Sequence, residues 1–148
     1  MQLISNKKAF FEYEILEHIE AGVSLTGAEV KSVKGGHAEL VGAFVRIIGS
    51  EAYLVNAQIY PYNCARPEGY DPKRTRKLLL HKAELIRLKS KLEGANLTVI
   101  PLSWYTKKSL VKLEIGLARG KKQYEKRESK RKEDQRRELE RQYRGKVT

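Results

Sequence analysis

The sequence has few of the residues that build catalytic and metal sites. Its 148 residues include one cysteine, Cys64, two aspartates, Asp71 and Asp134, and three scattered histidines. One cysteine cannot form an intrachain disulfide, and a cysteine-based zinc site would lack ligands. No nucleophile is paired with a base, and the carboxylates form no evident cluster. The sequence therefore predicts a protein that is not an enzyme and uses no metal and no cofactor.

Long apolar runs are also missing. The longest, Leu40–Val45, stops at Arg46, whereas crossing a bilayer takes roughly 20 residues. The first residues, MQLISNKKAFFEYE, lack the apolar core and cleavage site of a secretory signal. We therefore expect a cytoplasmic protein without a membrane partner, and the single cysteine is compatible with a reducing compartment.

Basic residues are abundant. The chain has 30 Lys and Arg against 18 Asp and Glu, a net charge of +12, which favours a polyanionic partner. Residues 1–118 hold 17 basic and 12 acidic side chains, whereas residues 119–148 hold 13 and 6. Because large apolar side chains become rare at the same point, we expect a folded domain over residues 1–119 and a basic tail over residues 120–148.

Alternating apolar and polar residues predict antiparallel strands in the first part of the chain. Phe10–Ile19 is the first candidate, and Phe44–Ile48 is followed by Tyr53–Ile59 across a Gly-Ser turn, which predicts a hairpin. Val111–Leu117 alternates strictly, as expected of a strand with one buried face. Its predicted hairpin partner is Leu97–Trp104.

Two helices interrupt these strands. Thr26 is placed to cap the first, with Glu29 at the third helical position of a capping box and Gly35 as the stop signal. The second is predicted over His81–Glu93, where three leucines at helical spacing form a face that packs on the core.

These elements predict a fold that is mainly β with flanking helices. Short turns and surface helices fit a small antiparallel β-barrel of the oligonucleotide-binding type, because closure removes exposed strand edges. The flexible basic C-terminal tail would follow it. A twisted open sheet with helices on one face is the alternative. Pro101 predicts an edge position or a bulge within its strand.

A dense basic loop is the sharpest internal feature. Lys73, Arg74, Arg76 and Lys77 lie within five residues. Arg offers paired donors to phosphate oxygens and Lys supplies a mobile charge, so the loop is a candidate phosphate-binding strip. A solvated charge run is the alternative. Base stacking is open to five aromatic residues that match no known RNA-binding motif: Tyr60, Tyr62, Tyr70, Trp104 and Tyr105.

The tail lacks the apolar stripe by which a helix packs on a core, so we expect it to be mobile when free. Three acid-first pairs spaced four apart favour a helix there: Glu128 and Lys132, Glu133 and Arg137, Glu140 and Arg144. Each pair contributes only about 0.2–0.5 kcal/mol, so the helix is expected to form on docking rather than in isolation.

Four motifs then occur in one order: EAG from Glu20, TGAEVKS from Thr26, RTRKLLLH from Arg74 and GLARGKKQYEKR from Gly116. In these the chain resembles the small protein B family, the bacterial SsrA-binding proteins. The resemblance implies a small RNA-binding β-barrel and an activity of binding alone. It implies that the partners are the tRNA-like domain of transfer-messenger RNA, elongation factor Tu in the delivery complex, and stalled ribosomes rescued by trans-translation.

The resemblance also assigns residues. Lys112 would meet phosphate, Leu79 an unstacked base, and Glu20 a base amine or a neighbouring cation, with Lys31 of the EVKS segment as a further RNA contact. The segment for the ribosomal decoding centre is Gly120, Lys121, Lys122, Tyr124, Glu125, Lys126 and Arg127. Relatives can carry His and Asp where this chain has the tyrosine and the glutamate.

Beyond that segment, the distal tail would lie as a helix in the empty mRNA channel, against rRNA of the small and large subunits. A ribosomal or assembly protein that binds rRNA constitutively would share the charge, the barrel and the tail. It is the alternative interpretation of the sequence.

Overall fold

The computed structural model of the chain describes residues 2–61, 69–93, 96–121 and 131–138. Nine strands and three helices are defined up to residue 120 within these ranges, and residues 131–138 are also helical. In chain order the elements are β1 Gln2–Ser5, α1 Lys7–Glu12, β2 Tyr13–Val23, α2 Gly27–Lys34, β3 Ala38–Glu39, β4 Phe44–Ile48, β5 Glu51–Val55, β6 Gln58–Ile59, β7 Arg76–Leu79, α3 Lys82–Leu92, β8 Leu97–Lys107 and β9 Leu110–Gly120.

Six antiparallel strands close into a ring. The pairing order is β8-β4-β5-β7-β2-β9, and β9 pairs with β8 again to close the ring. β1 pairs with residues 103–105 of β8, beyond the point where β4 pairs with it. The closed barrel confirms the predicted fold class and excludes the open sheet. A separate two-stranded sheet joins β3 to β6. The barrel interior is filled by fully buried side chains that include Trp104, Leu113 and Ile115.

The predicted elements are largely confirmed. α2 has Thr26 as its cap and the complete capping box with Glu29, and Leu88 on α3 is fully buried. The β8–β9 hairpin carries a register shift just after Pro101, which is the predicted bulge.

Two predicted strands have different limits. The strand expected from Phe10 begins only at Tyr13, because Asn6 caps α1: its side chain accepts from the Ala9 amide at 3.3 Å and donates to the Pro101 carbonyl at 2.9 Å. The strand expected over residues 53–59 ends at Val55, because the following asparagine has φ +64. Its last residues form β6.

A buried ion cluster attaches α2 to the barrel. The Glu29 carboxylate is 1% exposed and lies between two arginines. Arg76 Nε donates to it at 2.8 Å, and Arg74 Nε donates at 3.1 Å. Arg76 also donates to the carbonyls of Ala57 at 2.8 Å and Pro72 at 3.1 Å. The hydrogen-bond donors of Arg76 thus have acceptors inside the protein, as a buried charge requires.

This cluster corrects the interpretation of the basic loop. Arg76 is fully buried and cannot reach a phosphate, so its assignment as an RNA contact is wrong. Arg74 is about one-third exposed, but its guanidinium is engaged by Glu29 and by the Ser24 carbonyl at 3.2 Å. Charge density along the sequence could not separate these structural arginines from exposed ones, because their partner lies 45 residues or more upstream.

The cluster predicts how stability depends on pH. Burial raises the pKa of Glu29, but hydrogen bonds from Arg74, the Thr26 backbone and Arg76 outweigh it and lower the pKa from 4.5 to about 2. A depressed carboxylate pKa adds stability above pH 4.5 that is lost as the pH falls toward 2, here about 3 kcal/mol. Glu29→Gln should therefore remove about 3–5 kcal/mol from the free energy of unfolding at pH 7.

Urea unfolding between pH 7 and pH 2 measures both effects. The variant should lose most of the acid dependence below pH 4.5. Glu93→Gln, the same chemical change at an exposed position, should leave the curve unchanged. Equal stability of the Glu29 variant and the parent protein at pH 7 would contradict a stabilising role for the cluster.

Candidate nucleic-acid interface

An open groove of about 520 Å³ lies between the end of β2 and the tip of the β8–β9 hairpin. β2 lines it with Glu20 and Gly22, β7 with Leu79, and the hairpin with Lys108 and Lys112. The first residues of α3 border it as well. Three positions that the family resemblance assigned to RNA binding, from separate parts of the chain, therefore face one groove.

Leu79 is at an outward position of β7 and lies against a glycine of β2. β2 pairs with β7 only at its last residues, where Gly22 stands opposite Leu79. A Cβ atom on Gly22 would lie 3.2 Å from the Leu79 Cβ, so a larger residue would have to displace the leucine. The Leu79 side chain is 56% exposed. An exposed leucine in a polar groove can contact the face of an unstacked base.

Glu20 is held by the hairpin. Its carboxylate accepts from Lys107 Nζ at 3.3 Å. The hydrogen bond from Lys107 lowers the Glu20 pKa below 4.5, burial opposes it, and the hydrogen bond from Tyr105 lowers the pKa further. Burial, followed by the bond to Glu20, raises the Tyr105 pKa to about 12. Glu20 is thus ionised at neutral pH, and its contact with Lys107 corresponds to the second role expected for it.

The cations near the groove differ in how far internal carboxylates neutralise them, and Lys112 is near enough to Glu20 to help lower its pKa. Glu17 on β2 neutralises both Arg87 and Lys91 of α3, the latter at 3.0 Å. Within the part of the chain that the structure describes, Lys108 and Lys112 form no ion pair. Their charges are therefore available to an external anion.

The groove also offers a second apolar contact. Leu110, the first residue of β9, lines it and is 61% exposed. Leu110 and Lys112 are two residues apart on one strand and so share a face. An apolar side chain next to an unpaired cation suits a nucleotide, which presents a flat base and a phosphate together.

The other predicted RNA contacts lie elsewhere. Lys31 is exposed on α2, Lys73 is exposed in the loop before β7, and Lys77 is exposed and paired with Glu51 at 3.2 Å. None of the three lines the groove. They stay predictions.

Few of the aromatic candidates are available for stacking. Trp104 is fully buried, and Tyr70 donates its hydroxyl to the Ile59 carbonyl at 2.9 Å beside the ion cluster. Tyr60 is 38% exposed, and Tyr62 lies outside the described residues. The Tyr105 side chain interacts with Glu20, so an apolar contact with a base in the groove depends on the exposed leucines.

The predicted decoding-centre segment begins at the end of β9. Gly120 is the last residue of that strand, and Lys121 donates its amide to the Glu12 carbonyl and its Nζ to the Phe10 carbonyl, both at 3.0 Å. Five members of the segment lie outside the described residues: Lys122, Tyr124, Glu125, Lys126 and Arg127. Further along, Arg137 pairs with Glu133 at 3.0 Å, as their spacing predicted.

Sequence analysis missed the part of the groove that the hairpin tip supplies. The sequence assigns no RNA contact to residues 106–108, and Leu110 lies outside every predicted element. The sequence does place two lysines and a leucine in and beside the short connection between the two strands. Nothing in the sequence showed that this turn would face Leu79.

Comparison with known proteins identifies the family of the chain. The family model described as SmpB protein matches residues 3–145. The chain belongs to the SmpB family. An SsrA-binding protein of Sulfurihydrogenibium is 49% identical over 97% of this chain and 94% of the relative, and one of Chlorobaculum tepidum is 50% identical over 92% and 87%.

A solved SmpB structure has the same fold. The chain matches a structure described as "tmRNA-SmpB: a journey to the center of the bacterial ribosome" with a TM-score of 0.69 and 45% identity, over 83% of this chain and 87% of that one. No helix in the described ranges is long and apolar enough to cross a membrane.

The geometry around Glu20 predicts a titration. Because the hydrogen bond from Lys107 has the largest effect on the Glu20 carboxyl, Lys107→Gln should raise the Glu20 pKa toward 4.5. Carboxyl ¹³C NMR shifts followed against pH measure it. Lys89→Gln, which removes a cation from α3 outside the groove, should leave the Glu20 pKa unchanged. An unmoved pKa in the Lys107 variant would mean that the pair does not persist in solution.

Proposed function

We propose that the chain binds the tRNA-like domain of transfer-messenger RNA in the groove between β2, β7 and the β8–β9 hairpin, and delivers it to stalled ribosomes for trans-translation. Relatives at 44–50% identity are SsrA-binding proteins, and the related solved structure is a tmRNA–SmpB structure on the bacterial ribosome. These similarities support the choice of RNA. The residues that bind it are argued from this chain's own groove.

The observation that carries the proposal is the convergence of an unpaired cation, an exposed leucine and an ionised carboxylate. Lys112 supplies charge for a phosphate, Leu79 an apolar surface for a base, and Glu20 an acceptor beside them. A duplex presents its bases stacked and paired, so it has no use for an exposed leucine in a groove. A folded RNA with unstacked loop bases does, and tRNA-like structures are of that kind.

The position of the tail supports a second contact with the ribosome. β9 starts at the groove with Leu110 and ends at Gly120 beside α1, so the tail leaves the far end of the strand. Eleven extended residues span up to about 33 Å. The barrel can therefore hold one RNA while residues from Lys121 onward enter the decoding centre and the empty mRNA channel.

For delivery to the ribosome we propose the partners that the family resemblance implies. Elongation factor Tu would bind the same tRNA-like RNA, and the rRNA of both subunits would receive the protein on the ribosome. Lys31, Lys73 and Lys77 are exposed outside the groove, and we propose them as sites of these further RNA contacts.

A charge reversal in the groove tests the site. Lys112→Glu should weaken binding of the isolated tRNA-like domain at least tenfold near 0.1 M salt, and it should reduce the slope of log affinity against log salt by about 0.7–0.9. Fluorescence anisotropy at several salt concentrations measures both. Lys7→Glu, the same change on α1 at the opposite end of the barrel, is the matched control. Equal losses in the two variants would mean that binding follows net charge and not the groove.

Recovery of bound RNA from a bacterial lysate distinguishes binding of transfer-messenger RNA from constitutive binding of rRNA. A single RNA of a few hundred nucleotides with tRNA-like ends is expected. Enrichment of rRNA alone, with no such RNA, would overturn the proposal in favour of constitutive rRNA binding.

The division into barrel and tail gives a further prediction. Deleting residues 122–148, which retains the two hydrogen bonds of Lys121, should leave the melting temperature and tRNA-like RNA binding nearly unchanged and abolish peptide tagging on stalled ribosomes. Thermal unfolding, RNA titration and a reconstituted tagging reaction measure the three. A comparable loss of RNA affinity would show that the tail belongs to the first binding site.

A further inference from the structure

The β8–β9 hairpin turns through two residues in an unusual conformation. Lys108 and Ser109 connect the paired residues Lys107 and Leu110, and their φ angles are +51° and +67°. A two-residue turn with positive φ at both positions follows the type I′ pattern, for which Asn-Gly is the favoured sequence. Lysine and serine have a Cβ that disfavours this region, so the turn carries backbone strain that Asn-Gly would relieve.

The lysine at this turn places its charge in the groove. Lys108 lines the groove and is exposed. Its neighbour Lys107 is committed to Glu20 at 3.3 Å, whereas Lys108 has no ion-pair partner among the residues described. Two neighbouring lysines thus have different roles, one orienting a carboxylate and the other facing outward with its full charge.

The same groove wall continues along β9. Lys108 of the turn lines the groove together with Leu110 and Lys112 of β9, and the two β9 residues share one face of that strand. An exposed leucine lies between the two uncommitted cations. An apolar contact flanked by cations suits an unstacked base with backbone phosphates on either side of it.

We propose that Lys108 is a phosphate-binding residue of the groove, and that the strained turn is retained because it holds this cation beside the RNA. The inference rests on the proposed function, since it concerns the same tRNA-like RNA. It predicts that replacing Lys108 weakens RNA binding while keeping or raising stability, and that relaxing the backbone at Ser109 alone raises stability without changing RNA binding.

Three variants separate the backbone from the charge. Ser109→Gly should raise the melting temperature by a few degrees and leave RNA affinity unchanged. Lys108→Asn should keep or raise the melting temperature, weaken binding of the isolated tRNA-like domain about three- to tenfold near 0.15 M salt, and lower the salt slope by about 0.7–0.9. The double variant, which creates Asn-Gly, should be the most stable and bind as weakly as Lys108→Asn. Anisotropy titrations and thermal unfolding of the full chain measure these effects.

A matched control excludes a general charge effect. Lys7→Asn removes one positive charge from exposed α1, at the far end of β9, and should leave affinity within twofold of the parent protein. Parent affinity and an unchanged salt slope in Lys108→Asn would overturn the inference while leaving the proposed function intact. Failure of the parent chain to bind the tRNA-like domain would instead overturn the proposed function itself.

Discussion

The buried pairing of Glu29 with Arg76 is the interaction on which the rest of the structure depends. Arg76 is the first residue of β7, and side chains alternate along that strand, with Arg76 and Leu78 inside and Lys77 and Leu79 outside. A slip of one residue in register would exchange the two sets. Because only the inward position allows Arg76 to reach Glu29, the ion pair keeps Leu79 on the surface. The capping box of α2 places Glu29 for this pairing.

The groove depends on which charges are left over after internal pairing. Glu17 and Glu20 neutralise three of the cations around it, and this neutralisation concentrates the remaining charge on the hairpin. A net charge of +12 gives long-range attraction to any polyanion. In the site that we propose, discrimination between RNAs comes from the positions of Lys108 and Lys112 relative to the exposed leucines. The carboxylates therefore contribute to specificity, because they neutralise cations that would otherwise bind the phosphates of any RNA.

Sequence reasoning succeeded where signals were local and failed where partners were distant. The capping box at Thr26 and the leucine face of α3 are set by neighbours within a few residues, and both were predicted correctly. β9 was predicted as a strand with one buried face, but residues 115–118 are all buried, because a second apolar cluster covers its other face. The roles of Arg74 and Arg76 depend on a glutamate more than 40 residues upstream. The density of basic residues alone predicted them as phosphate ligands. The groove residues Glu20, Leu79 and Lys112 came from motif resemblance. Only the closed barrel shows that they line one groove together with Lys108 of the turn.

The two ends of β9 set the spacing between the contacts that we propose. Its first residues line the groove, and its last residue, Gly120, precedes the Lys121 bonds to α1. The strand pairs with β8 and β2 along nearly its whole length, so it cannot bend independently of the barrel. A flexible linker would let RNA binding and tail position vary separately. A paired strand instead fixes where the tail starts relative to the bound RNA, so the barrel docked on its RNA determines which part of the ribosome the tail can reach.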